Sequence, residues 1–255
     1  MFLSKKIDST HLNKRLDSIL VDLKLVETRQ KAISLIMTGN VFFGEKKIQK
    51  PGKLIKSEGY VRVKKKEFDW VSRGGIKLFD AIKKFRINVK DKICLDIGCS
   101  TGGFSEVLLN SGAKKIYAVD VGYGQFDWRL RNSKKINLIE KTNARNLNKE
   151  LIRECIDLVV CDVSFISMKK VIEPTKIFLN KNYEILGLIK PQFEVERGQV
   201  GKGGIIKDDK LHKDVCNKLQ KWFELNFKST SIQLIESVIT GQKGNKEFFI
   251  FVRGS

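Results

Sequence analysis

Leu95-Asp96-Ile97-Gly98-Cys99-Ser100-Thr101-Gly102-Gly103-Phe104 reads as a β-strand that runs into a glycine-rich turn and opens a helix. Glycines let backbone come close to a ligand, and the free N–H groups at a helix start favour a carboxylate or other anion. A dinucleotide fingerprint spaces its glycines as G-x-G-x-x-G. Here they stand at 98, 102 and 103, which argues against a dehydrogenase. Asp96, ahead of the first glycine, is suited to a cationic group, and the ammonium and sulfonium of S-adenosylmethionine fit it better than a pyrophosphate does. Gly98, Ser100, Thr101, Gly102, Gly103 and Phe104 are therefore expected around that cofactor.

Working outward, the chain alternates apolar runs with helical spacing. Strands are expected at 93–97, 116–121, 136–139, 156–161 and 185–189, and helices at 104–110, 126–131 and 168–179. This is the rhythm of a parallel sheet covered by helices. The end differs: 232–239 and 248–252 are β-rich runs joined by a short Gly-containing link, the pattern of an antiparallel hairpin. Ligands in such folds bind beyond the carboxyl ends of the strands. Asp120 falls there, about 20 residues after the glycine turn, where a carboxylate can accept from both hydroxyls of an adenosyl ribose or can cap a helix. Asn143 can read an adenine edge, since an amide both donates and accepts, or can serve a turn. Phe104 and Tyr123 either flank the nucleoside or belong to the core.

The N-terminal part reads differently. Leu12, Leu16, Ile19, Leu20 and Leu23 have helical spacing, and a second helix starts at the N-cap Thr28 and stops at Gly39. Val41-Phe42-Phe43, a turn at Gly44-Glu45, the segment 46–53 and Tyr60-Val61-Arg62-Val63 follow as small strands. The aperiodic 64–71 separates this unit, 1–63, from the α/β unit, 72–255. The fold class is thus α/β, a Rossmann-like, mostly parallel sheet with a C-terminal antiparallel hairpin, preceded by a small α+β domain.

The 255 residues are 42% hydrophobic, enough for a core without staples. A formal net charge of +20 points to a polyanionic partner, because clustered cations release the counterions condensed on nucleic acid. The competing reading is compositional bias, since 38 of the 49 basic residues are Lys. Distribution favours the first reading, because residues 1–66 carry 16 Lys or Arg against 6 Asp or Glu. Five cysteines without Cys-x-x-Cys spacing read as reduced, mostly buried thiols, and His11 and His212 lie far apart in sequence, so no transition metal is expected. Neither a signal core nor a membrane-length apolar stretch is present, making the cytoplasm the expected compartment.

Arg15-Leu16-Asp17, Thr28-Arg29-Gln30-Lys31-Ala32, Gly39-Asn40-Val41 and Gly59-Tyr60-Val61-Arg62-Val63 resemble the RNA-binding module named after ribosomal protein S-four. The remainder resembles the FtsJ-like ribose methyltransferases. The order of the two, together with Ser72-Arg73-Gly74-Gly75-Ile76-Lys77-Leu78, resembles the TlyA (hemolysin A) family over nearly the whole chain. The resemblance implies a class I methyltransferase domain and 2′-O-methylation of ribosomal RNA from S-adenosylmethionine, with cytidine as target and ribosomal RNA or subunits as partners. It also implies a Lys-Asp-Lys-Glu tetrad. Motif by motif the tetrad falls on Lys77, Asp162 in Val160-Cys161-Asp162-Val163, Lys190 in Ile189-Lys190-Pro191, and Glu247 in Asn245-Lys246-Glu247-Phe248. Glu236 is the competing last carboxylate.

By the same resemblance Lys190 orients the ribose oxygen and accepts its proton, Asp162 bridges towards the donor, and Lys77 and Glu247 tune and orient. A charged lysine is a poor base. A neighbouring cation favours its neutral form and neighbouring carboxylates its charged form, and residue types alone leave both open. Arg15, Arg29 and Lys31 are the expected phosphate contacts. The segment Pro191 to Lys207 reads either as a mobile lip over the substrate or as a long surface loop. One departure stands out: the family's Arg-x-Trp-Val linker is here Phe68-Asp69-Trp70-Val71. Two rival functions are a catalytically inactive RNA-binding protein of ribosome assembly and a membrane-active hemolysin.

Overall fold

A computed structural model describes residues 2–64, 70–241 and 243–255. Backbone contacts divide the chain into two units, Met1–Asp69 and Trp70–Ser255. Of the linker expected at 64–71, residues 65–69 lie outside the described residues, and so do Phe68 and Asp69 of the variant tetrapeptide.

In the first unit, helices α1 (Leu16–Asp22) and α2 (Arg29–Met37) pack on a sheet of β1 (Phe2–Ile7), β2 (Val41–Phe43), β3 (Lys46–Ile48) and β4 (Gly59–Lys64), ordered β1-β4-β2-β3. Thr28 caps α2 as expected, its hydroxyl accepting from Lys31 N–H at 3.2 Å. Leu16, Ile19, Leu20 and Ile36 from the helices meet Ile7, Val41, Val61 and Val63 from the sheet in one apolar core. The strand β1 was not anticipated. Its FLSKKI run is too polar to stand out, and pairing with β4 rather than its own composition makes it a strand.

The second unit holds a seven-stranded sheet, ordered β10-β11-β9-β8-β5-β6-β7. Its members are β5 (Ile93–Ile97), β6 (Lys115–Val119), β7 (Ile136–Ile139), β8 (Ile156–Cys161), β9 (Leu179–Ile189), β10 (Ser229–Glu236) and β11 (Phe248–Gly254). Pairings among β5 to β9 are parallel, while β11 runs antiparallel to both β9 and β10.

Alternate residues of these strands face opposite ways, so the sheet builds two cores. Cys94, Ala118, Val160 and Leu186 pack with α3 (Arg73–Phe85) and α4 (Gly103–Asn110). Leu95, Val119, Val159 and Ile185 pack with α6 (Met168–Ile172) and α7 (Asp209–Asn226), while the short α5 (Trp128–Arg131) adds Leu130 to the first core.

The expected helix 168–179 is α6 followed by a 3₁₀ stretch, Glu173–Phe178, because Pro174 lacks the N–H that would continue an α-helix. The strand that follows is longer than expected, beginning at Leu179. The eighteen-residue α7 had no counterpart in the sequence reading. Its lysines mask an apolar stripe of Val215, Cys216, Leu219 and Phe223, and Asp208 caps it by accepting from Lys210 N–H at 2.8 Å.

Burial pushes the thiol of Cys94 up to about 12 and that of Cys216 to about 11, and it raises Cys99 and Cys161 as well. These four are inert apolar fillers, but Cys155 is exposed. No group of three or more His, Cys, Asp or Glu among the described residues is placed to hold a metal. No described helix is long and apolar enough to cross a membrane.

Candidate active site

Because β5, β6, β8 and β9 run parallel, their next residues, Gly98, Asp120, Asp162 and Lys190, emerge at one edge of the sheet. The antiparallel β11 starts at that edge, with Phe248 opposite Ile189, which brings Glu247 there too. Lys77 arrives from the second turn of α3.

The turn after β5 is built from constraints that only its sequence meets. Gly98 has φ +81°, and a Cβ there would stand 2.8 Å from the carbonyl oxygen of Asp162. Gly103 opens α4 so close to α3 that a Cβ would fall 3.0 Å from Gly75 N. Asp120 ties the turn to β6: its Oδ2 accepts from Ser100 N–H at 2.8 Å and its Oδ1 from Gly122 N–H at 2.7 Å. Gln125 Nε2 also donates to Oδ1, at 3.3 Å. A carboxylate offers about four acceptor positions, so one remains for a ligand, on Oδ2.

Asp96 sits deeper than expected. It is fully buried, Ser105 Oγ donates to its Oδ2 at 2.6 Å, and its Oδ1 has no partner. Burial pushes its carboxyl up to about 7; the Ser105 hydrogen bond works against this, and the charge of Asp162 adds to it.

Three adjoining hollows surround these groups. One of about 390 Å³ is lined by Gly98, Ser100, Thr101, Gly103 and Phe104 of the turn together with Lys77, Asp162 and Lys190. A second, about 520 Å³, runs under Asp120, Gln125, Asn143 and Val163 and shares Gly98, Ser100 and Asp162 with the first. The third, about 400 Å³, lies among Lys190, Gln192, Phe193, Asn245 and Glu247 and shares Lys77 with the first. Asp96 and Gly102 line none of the three. Phe104 is only 3% exposed and stacks on Phe249, so it belongs to the core and to the wall of the first hollow at once. Tyr123 lies outside all three, 70% exposed under the ammonium of Lys141. Asn143 does two things, lining the second hollow while its Oδ1 accepts from Arg145 N–H at 3.1 Å.

Two lysine–carboxylate contacts flank the junction. Lys190 Nζ is 2.6 Å from Asp162 Oδ1, an ion contact outside hydrogen-bonding direction, and it donates to Ser164 Oγ at 2.9 Å. Lys77 Nζ donates to Glu247 Oε2 at 2.5 Å, with side chains only 10% and 3% exposed. Glu236, the rival carboxylate, closes β10 on an exposed position and lines none of these hollows.

Several residues that shape the site escaped the sequence reading. Phe165 has φ +65° and is 90% exposed, its ring 4.9 Å from that of Phe193 where the second and third hollows meet. An apolar ring held in left-handed backbone and turned outward costs free energy in two ways, so something outside it is its natural partner. Glu194 accepts from Ser167 Oγ at 2.6 Å and Met168 N–H at 2.7 Å, fastening the Pro191 segment to α6; burial pushes its carboxyl up. Asn245, 3% exposed, accepts from Ile206 N–H at 2.9 Å and donates to Gly204 O at 2.8 Å. The stretch expected to be a lip is thus pinned at both ends.

Asp120→Ala is expected to weaken S-adenosylmethionine binding by roughly 10- to 100-fold, the value of hydrogen bonds to a charged acceptor. Calorimetric titration of the donor checks this, and an unchanged affinity would remove Asp120 from the site.

The profile of the family described as FtsJ-like methyltransferase matches residues 70–253. The chain is 41% identical to the 16S/23S rRNA (cytidine-2'-O)-methyltransferase TlyA of Mycobacterium tuberculosis, covering 94% of this chain and 89% of the relative. It is 42% identical to hemolysin A of Brachyspira hyodysenteriae, covering 92% and 97% of the two chains. Among solved structures, the "Putative hemolysin from Streptococcus thermophilus" superposes with a TM-score of 0.73 at 33% identity, covering 96% of this chain and 90% of that one. From the glycine turn, the paired lysines and these likenesses together, the chain belongs to the FtsJ-like methyltransferases, in the TlyA (hemolysin A) group, enzymes that draw their methyl group from S-adenosylmethionine.

Proposed function

We propose that this chain methylates a ribose 2′-hydroxyl of ribosomal RNA, at cytidine, in the cytoplasm. The observation that carries the reading is the placing of two lysine–carboxylate pairs, Lys190 with Asp162 and Lys77 with Glu247, around the junction of three hollows. The relative named for cytidine 2′-O-methylation supplies the target class.

The residues present suit the donor. Asp96, Asp120 and Asp162 gather around the glycine turn, and the partnerless Asp96 oxygen gives the cavity floor a need for positive charge. Gly98, Ser100, Thr101, Gly103 and Phe104 form the cradle, with Gly102 turned towards Leu130 and Phe126 behind it; Asp120 holds a ribose hydroxyl, Asn143 meets the adenine, and Asp162 stands between both hollows. S-adenosylmethionine, when bound, supplies an electrophilic methyl group on a sulfonium.

What the chain contributes is position. An ammonium has three N–H donors. Lys190 donates one to Ser164 and stands in ion contact with Asp162, so N–H groups remain for the ribose oxygen. The proton released as the new C–O bond forms ends on Asp162: Lys190 gives one of its protons to that carboxylate and takes the hydroxyl proton in its place. Lys77 and Glu247, nearly sealed from water, fix the far wall of the substrate hollow, and Phe165 offers a flat apolar surface to the base.

RNA is held in addition by the N-terminal unit. Asp17, wholly buried, pairs with Arg15 at 2.9 Å and Arg29 at 3.2 Å, yet both arginine side chains remain half-exposed. Hydrogen bonds from Arg15 hold the Asp17 carboxyl below the usual carboxylate range, against its burial. Such an anchored pair of guanidiniums keeps spare N–H groups for phosphate, and Lys31, on α2 like Arg29, adds a further cation.

Mapping ribose methylation along ribosomal RNA from cells with and without this protein tests the reading. One or a few 2′-O-methylcytidines should disappear when the protein is absent, and an identical map would overturn the assignment.

A further inference from the structure

The four-stranded sheet of the N-terminal unit has an outer face that its helices do not cover. Alternation along β4 sends Val61 and Val63 into the core and Tyr60, Arg62 and Lys64 to the other side. Their cross-strand partners share that side: Tyr60 stands opposite Lys6, Arg62 opposite Ser4 and Phe42, and Lys64 opposite Phe2. Three aromatic rings and three cations therefore lie on one surface. Phe2 is 43% and Tyr60 58% exposed. The rings of Phe2 and Phe42 meet edge to face at 5.5 Å, and the Arg62 guanidinium lies 5.3 Å from the centre of Phe2. Arg62 is held by Gly44 O at 2.8 Å and by Glu45 at 3.0 Å, so the cation over the ring is fixed in place.

Charge without aromatic rings would suit a duplex backbone, and rings without charge would suit a protein. Together, rings that stack on bases and cations that meet phosphates are the recognition chemistry of unpaired nucleic acid on an open sheet. We propose that this face binds single-stranded RNA, its bases stacking on Phe2, Phe42 and Tyr60 and its phosphates meeting Lys6, Arg62 and Lys64. The surface lies on the opposite side of the sheet from α1 and α2, which carry Arg29 and Lys31. The N-terminal unit thus has two RNA faces: one for phosphates on the helix side and one for splayed bases on the sheet side. Strand β1 supplies Phe2 and Lys6, so this short edge strand completes the second face. The inference extends the reading of the N-terminal unit as an RNA holder but does not depend on the methyl-transfer site.

The test uses the full chain and an unstructured pyrimidine oligoribonucleotide carrying 4-thiouridine. Irradiation and mass mapping should place adducts on Phe2, Phe42 or Tyr60. The variant Phe2→Ala/Tyr60→Ala should bind this strand at least tenfold more weakly while its affinity for a duplex of equal length changes less than twofold. Both positions are exposed, and a far-ultraviolet dichroism melt checks that the variant folds. Should it not fold, the adduct map on the unaltered chain decides alone. Adducts confined to the helix side or to residues 70–255 would overturn the proposal. So would a variant with unchanged single-strand affinity that instead loses binding to phosphatidylglycerol vesicles, which would make the face a lipid contact. Loss of methyl transfer with the adducts intact would strike the proposed activity and leave this face standing.

Discussion

Lys190→Ala is expected to abolish methyl transfer, with turnover falling by roughly 10²- to 10⁴-fold, the range for a positioned proton-transfer group. Donor affinity should stay within a few-fold of the original, because the turn and Asp120, the proposed donor cradle, do not rest on Lys190. Its ammonium is fixed from two sides, by Asp162 and by Ser164 Oγ, so the substitution removes a preorganised group rather than a mobile one. Lys190→Arg should rescue little. A guanidinium is planar and longer, and it cannot reproduce a single N–H aimed from Nζ. Single-turnover transfer alongside calorimetric donor titration separates the two effects. Activity surviving in the alanine variant would assign the proton and the oxygen to another group.

The second large effect lies in the buried pair. Removing one partner, as in Lys77→Met or Glu247→Gln, leaves the other buried beside a cavity and is expected to destabilise the chain by about 3–5 kcal/mol. For a unit of this size that lowers the melting temperature by roughly 10 °C. Replacing both, Lys77→Met with Glu247→Leu, removes the orphaned charge, and most of the lost stability should return. Activity should not. Lys77 lines the first and third hollows and Glu247 the third, so in the proposed arrangement the pair shapes the surface against which the ribose sits. Thermal melts and transfer rates for the three variants form a cycle, and recovery of activity together with stability would reduce the pair to a strut.

The catalytic edge was legible for a physical reason. A parallel strand buried on both faces reads as an apolar run, and the first polar residue after it must emerge at the carboxyl end. Asp120, Asp162 and Lys190 follow directly from that rule, and Gly98 from the tight turn. Glu247 was chosen over Glu236 by its motif, and the antiparallel start of β11 accounts for its position.

Residues whose roles depend on contacts between distant segments left no such trace. Glu194 looks like any loop carboxylate until α6 supplies its two donors, and Asn245 like any turn residue until the 204–206 backbone reaches it. Phe165 is a hydrophobe in an apolar-looking stretch, and only its positive φ and outward ring set it apart. Asp96 was read as facing the ligand, whereas burial and Ser105 set it beneath the floor. Arg15 and Arg29 read as phosphate contacts from their sequence, but only the structure shows that Asp17 organises both. Helix α7 left no clear trace because four lysines in eighteen positions hide its apolar stripe, a stripe that only the sheet beneath it reveals.

The most direct measurement is transfer of isotopically labelled methyl from S-adenosylmethionine into ribosomal RNA by the pure protein, followed by digestion to nucleosides. The label should appear in 2′-O-methylcytidine and vanish with Lys190→Ala. Label in a base-methylated nucleoside, or none in any nucleoside when naked RNA and both assembled subunits are offered, would contradict a site built to hold a ribose hydroxyl against Lys190.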